Sequence, residues 1–293
     1  MKKISLLLSL LFSVVHIYSQ VDYEFPEFNT ETALFSGSDP VWEGDGSILF
    51  TNKDSEARNR LYRYDFASKI LTDLGVDNLP VNRPVKVPGK NQVVADAVYN
   101  EVHKLVVIDL GKVSKPQPLM NRYIQMKQAD FNPTGMLVAF IGKSETDKYW
   151  NLYTYDFKYD NLNKLSDDQA DIDYPKWSPD GSLISYGHKN SMNGRWVVSV
   201  IHWYGKHDFT LEDASADLLH GNWSHNGYKL VYVMKDQHGS KLMSCKKDGH
   251  DRTILTRSSE VIATPDWSPD GISIIFTISN SQDASTIMVL HLE

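Results

Sequence analysis

Apolar residues along this chain fall in short runs separated by polar turns, and windows with the i, i+3, i+4 spacing of an amphipathic helix are almost absent. One phrase recurs. Residues 174–186 read YPKWSPDGSLISY and residues 264–276 read TPDWSPDGISIIF, with Trp177 and Trp267 standing 90 positions apart. Midway between them lies HGNWSHNGYKLVY, anchored on Trp223. Upstream, SDPVWEGDGSILF carries Trp42, KQADFNPTGMLVAF puts Phe131 in the tryptophan slot, and the weaker RPVKVPGKNQVVA puts Val87 there. The anchors at 42, 87, 131, 177, 223 and 267 are spaced 45, 44, 46, 46 and 44 residues, so six near-equal units span residues 21–293.

Each unit reads as four strands. After the anchor comes a tight turn, SPDG twice and EGDG, NPTG or SHNG elsewhere; its glycine supplies the positive φ of a hairpin bulge. An apolar run follows and ends on Phe50, Phe140, Tyr186, Tyr232 or Phe276. A third run starts at Leu61, Leu105, Leu152, Trp196, Leu242 and Ile287, and short segments such as ILTDL, NKLS and RTILT make a fourth. Four antiparallel strands in about 45 residues make a propeller blade. A blade cannot cover both its faces, so the pattern predicts an all-β, six-bladed β-propeller whose units close into a ring. In the third strands, Tyr64, Ile108, Tyr155, Ser199, Cys245 and Leu290 share one mainly apolar column, which makes Cys245 a core residue. The sixth unit ends at its third strand, and counting back from Trp42 predicts that residues near 28–31 supply the missing strand and clasp the chain ends.

The phrase P-x-W-S-P-D-G followed by an apolar run and an aromatic resembles the propeller repeat of the TolB family, most closely at Tyr174–Tyr186 and Thr264–Phe276. The resemblance implies a periplasmic propeller that docks a partner at one mouth of its central channel. Similar blades also form the bodies of polysaccharide lyases and the non-catalytic halves of prolyl-oligopeptidase-type peptidases, so the motif specifies fold more than chemistry. TolB proteins carry a mixed α/β domain ahead of the propeller, whereas about ten residues separate the signal cut expected here from the closing strand.

Composition sharpens this. The first twenty residues, MKKISLLLSLLFSVVHIYSQ, combine two lysines, a short apolar run and a small-polar end, the layout of a cleaved signal peptide. No cysteine lies near the cut to carry a lipid, and no second apolar stretch reaches membrane-spanning length, so the reading is a periplasmic or secreted mature chain without membrane insertion. Cleavage removes Lys2 and Lys3 and leaves 28 basic against 37 acidic residues, a balance of −9 that disfavours nucleic acid as a partner. Cys245 is the only cysteine and has no internal disulfide partner.

The first strand of each blade lines the channel, and alternation about the anchor sorts its residues. Positions two before the anchor are small or apolar: Pro40, Val85, Ala129, Pro175, Gly221 and Pro265. The flanking positions are polar and form the candidate binding ring: Asp39, Gln128, Tyr174, His220 and Thr264 three before, Lys86, Asp130, Lys176, Asn222 and Asp266 one before. The loops SDDQADID and EDASAD cluster carboxylates at Asp167, Asp168, Asp171, Asp173, Glu212, Asp213 and Asp217 without the spacing of a calcium loop. GxSxG, HExxH, CxxC and phosphate-binding glycine loops are missing. His220 alone enters the ring, with His188 in a loop near the same mouth; no cofactor or metal is expected. Trp150 and Trp203 lie outside the anchor column, where aromatics stack on sugars or peptides or pack between blades. Two functions follow: a binding or scaffold module for an envelope protein, possible ligands including carbohydrate or peptide, or a polysaccharide-active lyase or hydrolase with a metal or His/carboxylate site in the channel.

Overall fold

In a computed structural model of the protein, the described residues are 30–292 apart from 45, 76–78, 100, 112–114, 123, 167–170 and 283. The expected signal segment, Phe28, Asp167 and Asp168 fall outside them. The described residues form twenty-four strands and no helix, hence none able to cross a membrane.

The strands make six four-stranded antiparallel sheets, five of them in sequence order from the axis outward and the sixth completed on its outer edge by the first strand of the chain. Blade one is β2 (Ser38–Trp42), β3 (Ser47–Lys53), β4 (Asn59–Asp65) and β5 (Ile70–Asp73). Blade two is β6 (Val81–Lys86), β7 (Gln92–Tyr99), β8 (Val102–Asp109) and β9 (Gln117–Pro118). Blade three is β10 (Ile124–Phe131), β11 (Leu137–Ser144), β12 (Asn151–Asp156) and β13 (Asn161–Lys164). Blade four is β14 (Ile172–Trp177), β15 (Leu183–Lys189), β16 (Trp196–His202) and β17 (His207–Leu211). Blade five is β18 (Asp217–Trp223), β19 (Lys229–Asp236), β20 (Gly239–Lys246) and β21 (Thr253–Ser258). Blade six takes β22 (Val261–Trp267), β23 (Ser273–Ser279) and β24 (Ser285–His291) from the end of the chain and β1 (Thr30–Ser36) from its start.

The closing strand therefore forms, and it runs five residues past Glu31. Thr30 pairs with His291, Phe35 with Ile287 and Ser36 with Thr286. Only Gly37 separates β1 from β2, because the chain passes directly from the outer edge of blade six to the inner strand of blade one. A Cβ on Gly37 would stand 2.7 Å from Phe50 Cδ2 and 2.9 Å from Ile287 Cδ1, so glycine is the residue that fits this passage.

The core is divided into six buried clusters, each shared by two neighbouring blades. Trp267, Phe276 and Leu290 of blade six pack on Val231, Val233 and Leu242 of blade five. Ile48 and Phe50 of blade one meet Ile275, Ile287 and Val289 of blade six, which seals the ring on its apolar side as β1 seals it on its hydrogen-bonded side. This partition is what forces closure, since a missing neighbour would expose a whole blade face. Cys245 lies in the cluster between blades four and five and is 1% exposed.

Two registers differ from the expectation. In blade two Lys86 pairs with Val93, as Phe131 pairs with Val138 and Trp177 with Ile184, so Lys86 and not Val87 holds the anchor position. Pro84 and Pro88 thereby align with Pro175 and Pro179, whose turn geometry outweighs the apolar character that favoured Val87. In blade four Ile201, opposite Ile184, holds the column position in place of Ser199, which keeps the column apolar.

Candidate functional site

Every inner strand carries a β-bulge at the same depth. The pairing register slips between Ser38 and Val41, Asn82 and Val85, Lys127 and Ala129, Asp173 and Lys176, Leu219 and Asn222, and Ala263 and Asp266. Within each slip one residue adopts a left-handed backbone, with φ from 48° to 55°: Asp39, Arg83, Gln128, Tyr174, His220 and Thr264. None is glycine, and a left-handed L-residue costs about 1–2 kcal/mol. Bonds from the preceding blade hold the backbone of four of the six. Asp39 Oδ2 accepts from the N–H of Arg83 at 3.3 Å, Gln128 Oε1 from Tyr174 at 2.9 Å, and His220 Nδ1 from Thr264 at 3.3 Å. Arg83 has no acceptor to offer, and Asp96 on β7 takes its place, accepting from the N–H of Gln128 at 2.7 Å. The bulge turns these side chains toward the axis, and the four bonds tie blades one to two, two to three, three to four and five to six.

Deeper in the channel a second set interlocks. Asp130 accepts from the N–H of Trp177 at 2.7 Å and from Lys176 Nζ at 3.3 Å. Asp266 accepts from the N–H of Trp42 and from Asn222 Nδ2, both at 2.8 Å. Burial works against the charge of Lys176, and Asp130, Tyr174 and Asp266 outweigh it, so the ammonium keeps its proton. The Tyr174 hydroxyl crosses the axis to donate to the Pro265 carbonyl at 3.1 Å. Between the two sets remains a cavity of about 30 Å³, lined by Asp39, Arg83, Gln128, Tyr174, Lys176 and Thr264. That is space for a water or two, so the channel is plugged.

The mouth above the cavity is charged. Asp173 Oδ2 stands 3.6 Å from His220 Nε2, and its Oδ1 is buried without a hydrogen-bond partner. Burial raises the Asp173 pKa, but His220, Arg83 and Lys127 prevail and hold it below the ordinary carboxylate value. Burial likewise opposes the charge of Arg83, which Asp173, Asp39 and Asp96 restore. Asp96 is 8% exposed, and burial pushes its carboxyl up to about 7 despite the positive charge of Arg83. Lys127, one residue before the left-handed Gln128, has its pKa lowered by burial and stands 4.5 Å from the centre of the Trp150 ring.

The predicted ring thus divides in three. Asp39, Gln128, Tyr174, Lys176 and Thr264 line the cavity; Asp130, Asn222 and Asp266 brace Lys176 and the anchor backbones below; His220 faces the mouth. Lys86 does not join them. It follows its anchor position to the turn side, 3.9 Å from Glu43, and donates to the carbonyl of Lys90. Arg83, Lys127, Asp96 and the mouth role of Asp173 escaped the sequence reading. The proline alignment would have exposed Arg83, and a single aspartate inside the apolar run QVVADAV marks Asp96. The acidic loops otherwise serve local needs: Asp171 pairs with Lys189 at 2.9 Å, Asp213 caps the turn at Ser215, and Asp217 accepts from the N–H of Trp196. His188 bonds Ser199 at 2.9 Å, and Trp203 is 40% exposed against Tyr204.

No family model and no curated protein sequence matches the chain. Solved structures do match. TolB from Acinetobacter baumannii superposes with a TM-score of 0.67 at 15% identity over 85% of this chain, which spans 64% of that protein's length. A TolB-type protein from Agrobacterium tumefaciens gives 0.65 at 17% identity, covering 89% of this chain and 91% of that one. The fold is a TolB-like propeller. An oligogalacturonate lyase in complex with manganese also shares it, with a TM-score of 0.61 at 12% identity over 88% of this chain and 91% of the lyase. At such identities the TolB-like propeller is similar to these proteins in fold, and its chemistry has to be read from its own mouth.

Proposed function

We propose that this chain is a periplasmic or secreted binding module of the cell envelope that docks a partner protein at the mouth of its plugged channel. The signal-like first twenty residues and the likeness to TolB proteins support the compartment. The observation that carries docking is the unused polar capacity of the mouth: a partly buried Arg83 guanidinium that has no hydrogen-bond or ion-pair partner among the described residues and keeps its charge against burial through the fields of Asp173, Asp39 and Asp96, beside an Asp173 oxygen that likewise lacks a partner among them. A buried donor or acceptor left without a partner costs about 1–3 kcal/mol, which a docked partner recovers.

The lyase reading finds less support. His220 spends Nδ1 on the N–H of Thr264, which places the proton of the neutral ring on Nε2, facing Asp173. Among the described residues no three His, Cys, Asp or Glu side chains converge as metal ligands.

The test is affinity capture from envelope extract with the mature chain as bait, set beside an Arg83→Gln, Lys127→Gln variant of equal thermal stability. The expected result is a discrete protein retained by the parent and lost by the variant. Retention of sugar polymers alone, or equal capture by both baits, would overturn the proposal.

A further inference from the structure

Among the described residues the mouth offers two cations and one acceptor without a partner. Arg83 carries five guanidinium N–H donors, and among the described residues none has a hydrogen-bond or ion-pair partner. Among the described residues Lys127 likewise has no carboxylate within ion-pair reach; its ammonium rests over the Trp150 ring. Asp173 Oδ1 is the complementary orphan, buried with no donor.

Such a set calls for a ligand with a carboxylate and an adjacent N–H. A planar guanidinium takes a carboxylate through two parallel bonds, and an ammonium adds a point charge beside it. The plug restricts how that ligand arrives. With about 30 Å³ below the mouth and the Tyr174 hydroxyl bonded across the axis, a polypeptide cannot thread through, and a loop would have to bring two strands into one blind recess. A chain end enters singly, and its last residue holds a carboxylate and a backbone N–H side by side. Capture of chain termini by fixed polar groups is a known recognition mode.

We infer that the mouth binds the C-terminal carboxylate of a partner chain, with Arg83 and Lys127 holding the carboxylate and Asp173 accepting the N–H of the same terminal residue. This rests on the docking reading above and specifies which part of the partner is held.

Three short peptides separate the possibilities: acetyl-trialanine with a free C-terminus, the same peptide as its amide, and acetyl-Ala-Glu-Ala-amide, which presents an acid only on a side chain. Each is titrated into the ¹⁵N-labelled protein and followed by amide chemical shifts. The free acid is expected to bind in the millimolar range and to shift the Gln128 and Tyr174 amides, with both amides at least about tenfold weaker. Arg83→Gln should abolish binding, Arg83→Lys should retain part of it because charge persists without the fork, and Asp173→Asn should weaken it; folding of each variant is checked by its melting curve. Equal binding of acid and amide, equal binding of the glutamate peptide, no shift with the free acid up to about 20 mM, or full binding by folded Arg83→Gln would each overturn the inference. Competition keeps the two claims apart. If an envelope protein is captured through Arg83 yet the free acid neither binds nor displaces it, docking stands and the chain-end assignment falls; if the acid binds and no protein is captured, docking falls instead.

Discussion

Asp96 offers a direct measure of how the mouth is held. It lies on β7 opposite Asn82, is 8% exposed, and accepts from the N–H of Gln128 at 2.7 Å. Burial raises its carboxyl from 3.8 to about 7. Because the folded value lies above the unfolded one, the folded protein binds the proton more tightly. Its contribution to stability is therefore complete below about pH 4 and is lost as pH rises to about 7, beyond which it is constant. Roughly three units at 1.4 kcal/mol each make the loss about 4 kcal/mol. Asp96→Asn keeps an acceptor oxygen for Gln128 and cannot ionise. Urea unfolding followed by tryptophan fluorescence, repeated from pH 4 to pH 8 on both proteins, should show the variant gaining on the parent by about 4 kcal/mol across that range. Parallel curves, differing in slope by less than about 1 kcal/mol overall, would mean that Asp96 is ionised throughout and paired to Arg83, and the account of the mouth would fail.

Three further outcomes test the packing. Gly239→Ala forces a Cβ to 2.2 Å from the Ser258 carbonyl oxygen at φ 132° and should cost more than about 3 kcal/mol in urea unfolding, whereas Gly89→Ala, at φ 70° in open space, should cost only about 1–2 kcal/mol. Trp267→Phe should stay within about 1 kcal/mol of the parent while Trp267→Ala loses about 3–5 kcal/mol, since the indole N–H is buried without a partner and Phe131 already fills the same slot in blade three. Cys245, whose thiol burial pushes up to about 12, should react with Ellman's reagent at pH 8 only as fast as the protein unfolds; rapid stoichiometric labelling of the native protein would contradict its place in the core.

The blades were legible because their signals are local. Ser178 Oγ donates to Asp180 at 2.6 Å and accepts from the N–H of Leu183 at 2.9 Å, Asp180 accepts from the N–H of Ser182, and Gly181 takes φ 71°, so S-P-D-G is a complete turn written in adjacent letters. Six such turns at even spacing carry the ring with them. The mouth was only half legible, because its geometry depends on partners about 45 residues away. Tyr174 points inward through a bond to Gln128 in the preceding blade, and Asp96 is recruited because Arg83 cannot accept. Alternation about the anchor knows nothing of a bulge that changes which residues turn inward, and in blade two, where no aromatic marks the anchor, a shift of one position exchanged Lys86 for Arg83.

The seam between β1 and β24 also sets how the molecule responds to load. Thr30 sits opposite His291, so the polypeptide leading into one strand and the polypeptide leaving the other depart from the same end of the ladder. Tension applied between those two points peels the rungs apart singly, at low force, whereas tension between two interior blades must shear whole strands at once. A protein tethered by both ends would open like a zipper and reclose by rejoining seven residues.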